Sequence, residues 1–191
     1  MKDVNFNAYH ATDQKCLDGI LKEGFICKPN KEHWLGNGVY FFIEYELALW
    51  WSSTKHKKYG EKIKKPIIIE ANLNCNNDCV VDFRLVKDYN WLSQRYDEFY
   101  KEILDNGCNE ITDNQLRCLF FDWLKTEYDI KIVIGGFYKN HKSKYLHYIL
   151  PDSFCLPFIE YQVCVYDNSV LSIKNVLKEW FGWKQEKVAT D

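Results

Sequence analysis

The chain has 191 residues, enough for one full hydrophobic core and too few for two comfortable domains, so one continuous domain over 1–183 with a disordered tail at 184–191 is expected. Hydrophobic residues make up 47% and charged residues 27%, a balance that excludes a disordered or fibrous chain. The net charge of −2 gives no overall attraction for nucleic acid or an anionic membrane, so any such partner must be held by a local patch.

Val4–His10 alternates loosely between apolar and polar residues and predicts the first strand. Thr12 or Asp13 then caps a helix over Gln14–Glu23, where Cys16, Leu17, Ile20 and Leu21 share a face and Gly24 is the stop. Phe25 to Gly38 is a long connection of functional or mobile character, rich in Lys, Pro, Asn and Gly, that ends in a strand at Val39–Phe42. Glu44–Tyr59 is expected to be helical with Leu47, Trp50 and Trp51 inward. Pro66–Leu73 carries Ile67-Ile68-Ile69, a β-branched run suited to a buried strand. Asn76-Asn77-Asp78 is turn chemistry before Val80–Phe83.

Leu85, Tyr89, Leu92, Tyr96, Phe99 and Ile103 step by four and three, the strongest helical period in the chain. Thr112-Asp113-Asn114-Gln115 is a capping box opening a second helix with Leu116, Leu119, Phe120, Trp123 and Leu124 inside. Strands follow at Ile130–Ile134, Tyr145–Leu150 and Glu160–Tyr166, and Ser172–Trp183 predicts a last short helix. Two blocks of strands separated by a helical insertion imply an α+β fold with a mixed or antiparallel sheet rather than a doubly wound parallel one.

The start of the chain lacks a signal peptide's apolar stretch and no run approaches a membrane span, so a cytoplasmic protein without membrane contact is expected. Its eight Cys then read as reduced thiols. Cys75 and Cys79 invite a metal reading, but no second Cys/His pair stands at zinc spacing, and no metal is expected.

Three dispersed segments carry chemistry: Asn7-Ala8-Tyr9-His10-Ala11-Thr12, Leu35-Gly36-Asn37-Gly38-Val39-Tyr40-Phe41, and Glu160-Tyr161-Gln162-Val163-Cys164-Val165-Tyr166. Each is weak alone, and a lone histidine beside a strand is more often structural. Their order resembles the ADP-ribosyltransferase superfamily, in the His–Tyr–Glu class of poly(ADP-ribose) polymerases and diphtheria-type toxins. Members have a strand ending His-Gly-Ser/Thr, a Gly-x-Gly-Ile/Val-Tyr-Phe segment and a late strand with Glu before Tyr and a β-branched run. The resemblance spans roughly residues 4 to 168, and Ala11 stands where the class has Gly. Ile132–Gly136 and Gln162–Val165 are similar to segments of an uncharacterised bacterial family of the same fold.

The resemblance implies a split β-sheet core with flanking helices, and NAD as substrate rather than redox cofactor. A single ADP-ribose would pass to a macromolecule, nucleic acid or protein, in the manner of a toxin or defence effector, with an antitoxin or inhibitor as a further partner. A NAD glycohydrolase and a non-catalytic NAD or ADP-ribose binding module are the alternatives. Glu160 would hold the 2′-hydroxyl of the nicotinamide ribose and favour positive charge at the neighbouring anomeric carbon. His10 would hold the adenosine-side ribose, and the main chain of Ala11 the carboxamide. Thr12 adds a hydroxyl contact or only caps the helix. Tyr40 would stack on the cationic ring, with Gly36 and Gly38 turning the backbone beside the ligand. One of Trp50 and Trp51 would supply a second aromatic, and Gln162 shares the face of Glu160 by strand alternation. The Lys-rich run Lys55–Lys65 is a solvated helix end or, with Tyr138, Lys139, Lys142, Lys144 and Tyr145, a basic strip for a macromolecular target.

Overall fold

The computed structural model describes residues 3–53, 63–105, 111–139 and 158–177. Among these residues seven strands run as β1 (Val4–Asp13), β2 (Val39–Phe42), β3 (Pro66–Cys75), β4 (Val80–Asp82), β5 (Ile132–Lys139), β6 (Phe158–Val165) and β7 (Leu171–Leu177). Four α-helices lie among the described residues: α1 (Leu17–Glu23), α2 (Tyr45–Ser53), α3 (Val86–Asp105) and α4 (Asp113–Glu127). The strands form one mixed sheet in the order β4-β5-β6-β2-β1-β3-β7. Every pair is antiparallel except β4 with β5, and that parallel pair requires a crossover, which α3 and α4 supply. The fold is therefore α+β.

Side chains alternate across the sheet, so each face has its own core. One face carries Ala8, Phe41, Ile67, Ile69, Leu73, Ile132, Ile134, Val163 and Val165, with Leu17 and Ile20 of α1 packed against them. On the other, α3 and α4 lay Leu92, Phe99, Phe120, Phe121 and Leu124 over Val81, Val133 and Cys164. Beyond β2 that same face is covered by α2, whose Leu47 and Ala48 meet Ala11, Phe42 and Ile68. The β1–β3 ladder runs unbroken over the whole of β1, from Val4↔Cys75 to Asp13↔Pro66. By contrast β1 meets β2 at the single rung Tyr9↔Phe42, so the sheet is nearly parted there.

Several sequence expectations need correction. The first strand continues to Asp13 because Ala11, Thr12 and Asp13 all find partners on β3. Gln14–Cys16 is a 3-10 turn and the α-helix proper begins at Leu17; Asp13 rather than Thr12 is the cap, accepting from Lys15 N at 3.1 Å. The span read as a helix from Ser172 is instead strand β7 through Leu177: Leu171 and Ile173 turn onto the core while Ser172 and Lys174 face water, and the backbone pairs with the otherwise open edge of β3. The α3 stripe is broader than its contact, with Leu92 and Phe99 buried but Leu85, Tyr89 and Tyr96 exposed. The capping box at Thr112 and Gln115 forms, each side chain bonded to the other's backbone N–H. The expected strand Tyr145–Leu150, most of the Lys55–Lys65 run, Lys142, Lys144 and the 184–191 tail lie outside the described residues.

Candidate functional site

The three segments singled out in the sequence fall on β1, β2 and β6, which are consecutive neighbours in the sheet. Register sets Tyr40 opposite Cys164 and Phe42 opposite Gln162, so Glu160 stands one same-face step beyond the Phe42 rung. The backbones are thus brought together. Their side chains are divided, however: Tyr40, Gln162 and Glu160 emerge on the α3/α4 face with Cys164, whereas His10 emerges on the opposite face with Phe41.

His10 sits against Phe25 and Phe41, with ring centroids at 5.1 and 5.4 Å, and its Nδ1 lies 2.8 Å from the Tyr40 carbonyl oxygen. A carbonyl only accepts, so Nδ1 carries the proton and Nε2 of the neutral ring is an acceptor. Burial holds the imidazole pKa below its ordinary 6.5, against the opposing pull of that hydrogen bond, which keeps the ring neutral near pH 7. Its chemistry is therefore that of a hydroxyl acceptor fixed at the β1–β2 seam. Thr12, half-buried, shares the face of His10, while the Ala11 methyl is buried under α2, so any contact by residue 11 rests on main chain.

Tyr40 is held at both ends. Its hydroxyl accepts from Leu35 N at 2.8 Å and donates to Gly36 O at 3.0 Å, and burial pushes its pKa far up. The His33 ring meets it edge-on at 5.6 Å. Both glycines of the segment have packing partners: Gly36 adopts φ +74° with its α-carbon turned onto Phe121 of α4, and Gly38 presses on Cys164 and Tyr166. The residue between them was passed over in the sequence. Asn37 donates from its backbone N to Asp122 Oδ1 at 2.8 Å and from its amide to Asp122 Oδ2, while its Oδ1 accepts from Asn30 N at 2.7 Å. Lys125 closes the knot, 2.9 Å from Asp122 Oδ1 and 3.3 Å from the Asn37 carbonyl. An amide between two glycines was the visible signal; its partner, 85 residues away, was not.

Glu160 is 2% exposed, an unusual burial for a carboxylate, and its Oε1 accepts from Gln162 Nε2. The cross-strand partner of Glu160 on β5 is Phe137, and Trp34 from the 25–38 connection meets Phe137 at 4.7 Å between centroids. Trp34 and His33 are two further residues that the sequence reading missed, although an aromatic inside a Lys/Pro/Asn-rich connection was a usable sign. Both tryptophans of α2 are half-buried, and Trp51 packs on the α2 cluster. No cluster of three or more His, Cys, Asp or Glu suited to a metal ion occurs among the described residues. No described helix is long and apolar enough to cross a membrane.

Comparison with known proteins adds little beyond this geometry. No family model matches the chain. An uncharacterised protein of Methanocaldococcus jannaschii, MJ0359, is 31% identical over 88 residues, which is 46% of this chain and 41% of that protein. The chain thus spans about two fifths of the length of the relative it matches.

Proposed function

We propose that the chain is an ADP-ribosyltransferase of the His–Tyr–Glu type, with NAD as substrate. The observation that carries the reading is Glu160: a carboxylate removed from water, bonded to Gln162 on the same strand face, on the strand next to the one that bears Tyr40. The near-parting of the sheet at the one rung between β1 and β2 agrees with the split core that the resemblance implies.

Cleaving the nicotinamide–ribose bond releases a neutral leaving group and leaves an oxocarbenium-like ribose, so the protein has to stabilise positive charge and orient groups rather than supply an acid. A desolvated anion is suited to this, since its field is weakly screened. Gln162 fixes one carboxylate oxygen. His10, neutral and with Nε2 as its acceptor, suits a ribose hydroxyl. Because His10 and Glu160 emerge on opposite faces, the reading requires the dinucleotide to reach both faces of the sheet at the β1–β2 boundary, where the two strands share the single Tyr9–Phe42 rung. If His10→Ala leaves NAD affinity unchanged, the site is centred on Glu160 and Gln162 without His10.

The deciding experiment incubates the full chain with NAD labelled on the adenylate, in the presence of DNA, RNA and protein pools. Label on a macromolecule supports transfer. Free ADP-ribose alone favours a glycohydrolase, and intact NAD with measurable affinity favours a binding module.

A further inference from the structure

Resting on the transferase reading, we infer that Trp34, Phe137 and Arg117 form a stacking subsite beside Glu160 for an unpaired base of a single-stranded nucleic-acid acceptor. Phe137 and Glu160 are direct cross-strand partners. Val133, Gly135 and Phe137 alternate onto the α4 face, and the connection that enters β2 lies over them: a methyl at Gly135 would stand 2.8 Å from Leu35 Cδ2. That approach delivers Trp34 onto Phe137. Trp34 nevertheless leaves 51% of its surface to water, a large flat apolar area packed on the residue that pairs with Glu160.

Arg117 of α4 completes the group. Its guanidinium carbon is 5.3 Å from the Trp34 ring centroid, Nη2 donates to Asn114 Oδ1 at 3.0 Å, and Nε has no hydrogen-bond partner among the described residues. An indole face accepts any base, because every base has a π-face, and a guanidinium beside it is suited to the phosphate that accompanies the base.

The strand order assigns the subsite to the second reactant. Across β5-β6-β2-β1, Phe137 lies on one flank of Glu160 and His10 on the other. With His10 at the adenosine-side ribose, the substrate's own adenine belongs to the β1 flank and the β5 flank is left for the acceptor. In the transfer, the nicotinamide–ribose C–N bond breaks with its electron pair going to the pyridine nitrogen. A base nitrogen supplies the pair for the new bond to the anomeric carbon, and the proton it loses passes to the Glu160 carboxylate and then to water.

The test measures binding of short fluorescent single-stranded DNA and RNA oligonucleotides to the NAD-free full chain by anisotropy at low salt. Wild-type protein is expected to bind saturably. Trp34→Leu, which keeps apolar bulk against Phe137 but removes the π-face, should weaken binding roughly 5- to 150-fold, and Trp34→Phe should restore most of it. Arg117→Gln should weaken binding and flatten its salt dependence. Wild-type protein that binds no oligonucleotide, or Trp34→Leu that binds like wild type, overturns the subsite. NAD turnover is read on the same wild-type sample, so the two readings fail separately. Trp34-dependent binding without NAD consumption removes transferase activity and keeps the base platform. NAD consumption with label on protein alone, and oligonucleotide binding indifferent to Trp34, removes the platform.

Discussion

Gly38→Ala separates packing from ligand binding as the reason for the glycines before Tyr40. A β-carbon built at residue 38 would stand 2.5 Å from Cys164 Sγ, 2.7 Å from Tyr166 Cδ1 and 2.8 Å from the Val165 carbonyl oxygen. The carbonyl cannot move aside, because Val165 is paired on both flanks, with Val39 of β2 and Ile132 of β5. Gly38 is not among the positive-φ residues, so the cost is steric rather than conformational. Overpacking of this kind costs about 1–3 kcal/mol, and a backbone clash favours the upper half of that range. At about 2–4 °C per kcal/mol for a domain of this size, Tm should fall by roughly 4–12 °C. Urea unfolding should show a lower midpoint with an unchanged slope. Adding Cys164→Ala, which removes one of the three clashing atoms, should destabilise by less than the sum of the single changes. An unchanged Tm together with lost NAD affinity would refute the packing argument and return Gly38 to the ligand.

Glu160→Gln should fold normally and bind NAD while losing on the order of 10²–10³ in turnover, measured as released nicotinamide; full turnover moves the chemistry away from Glu160. Asn37→Ala should speed amide hydrogen exchange across 33–38 and cost about 0.5–1.5 kcal/mol, since the half-buried Asp122 carboxylate loses the amide donor and the exposed Asn30 N–H loses its acceptor; unchanged exchange would mean that the Tyr40 and Tyr166 hydroxyls, both bonded to that segment, suffice to hold it. The depressed His10 pKa makes the unfolded chain bind more protons just below pH 6.5, so stability should fall as pH drops from about 7.5 to about 5.5, and His10→Asn should lose that part of the slope; an identical slope in the mutant would show that His10 is not the titrating group. Tyr40→Phe should lower Tm, leaving the Leu35 N–H and the Gly36 carbonyl without their partner, yet retain ring stacking and hence NAD affinity; lost affinity with unchanged Tm would reverse the two roles.

Local patterns foretold most elements. The Ile67-Ile68-Ile69 run, the Leu92–Phe99 period, the capping box at Thr112 and the turn at Asn76–Asp78 all act over a few residues, and each is found where short-range chemistry calls for it. Leu171–Leu177 was misread because a short apolar segment fits either period, and the choice fell to the unpaired edge of β3, distant in the chain. The same long-range pairing carried β1 past His10 to Asp13.

For the candidate site, residue types and their order are properties of the sequence: a carboxylate beside an amide at Glu160 and Gln162, a histidine on the first strand, an aromatic after Gly-Asn-Gly. Alternation alone also set Glu160 and Gln162 on one face. Only the tertiary structure decided that His10 and Glu160 emerge on opposite faces, that the glycines meet α4 and β6, that Asn37 is tied to Asp122, and that Trp34 reaches the flank of Glu160. Facing along one strand follows from a period of two residues, whereas the relation between strands depends on register, and register is set by pairings and packing between residues far apart in sequence.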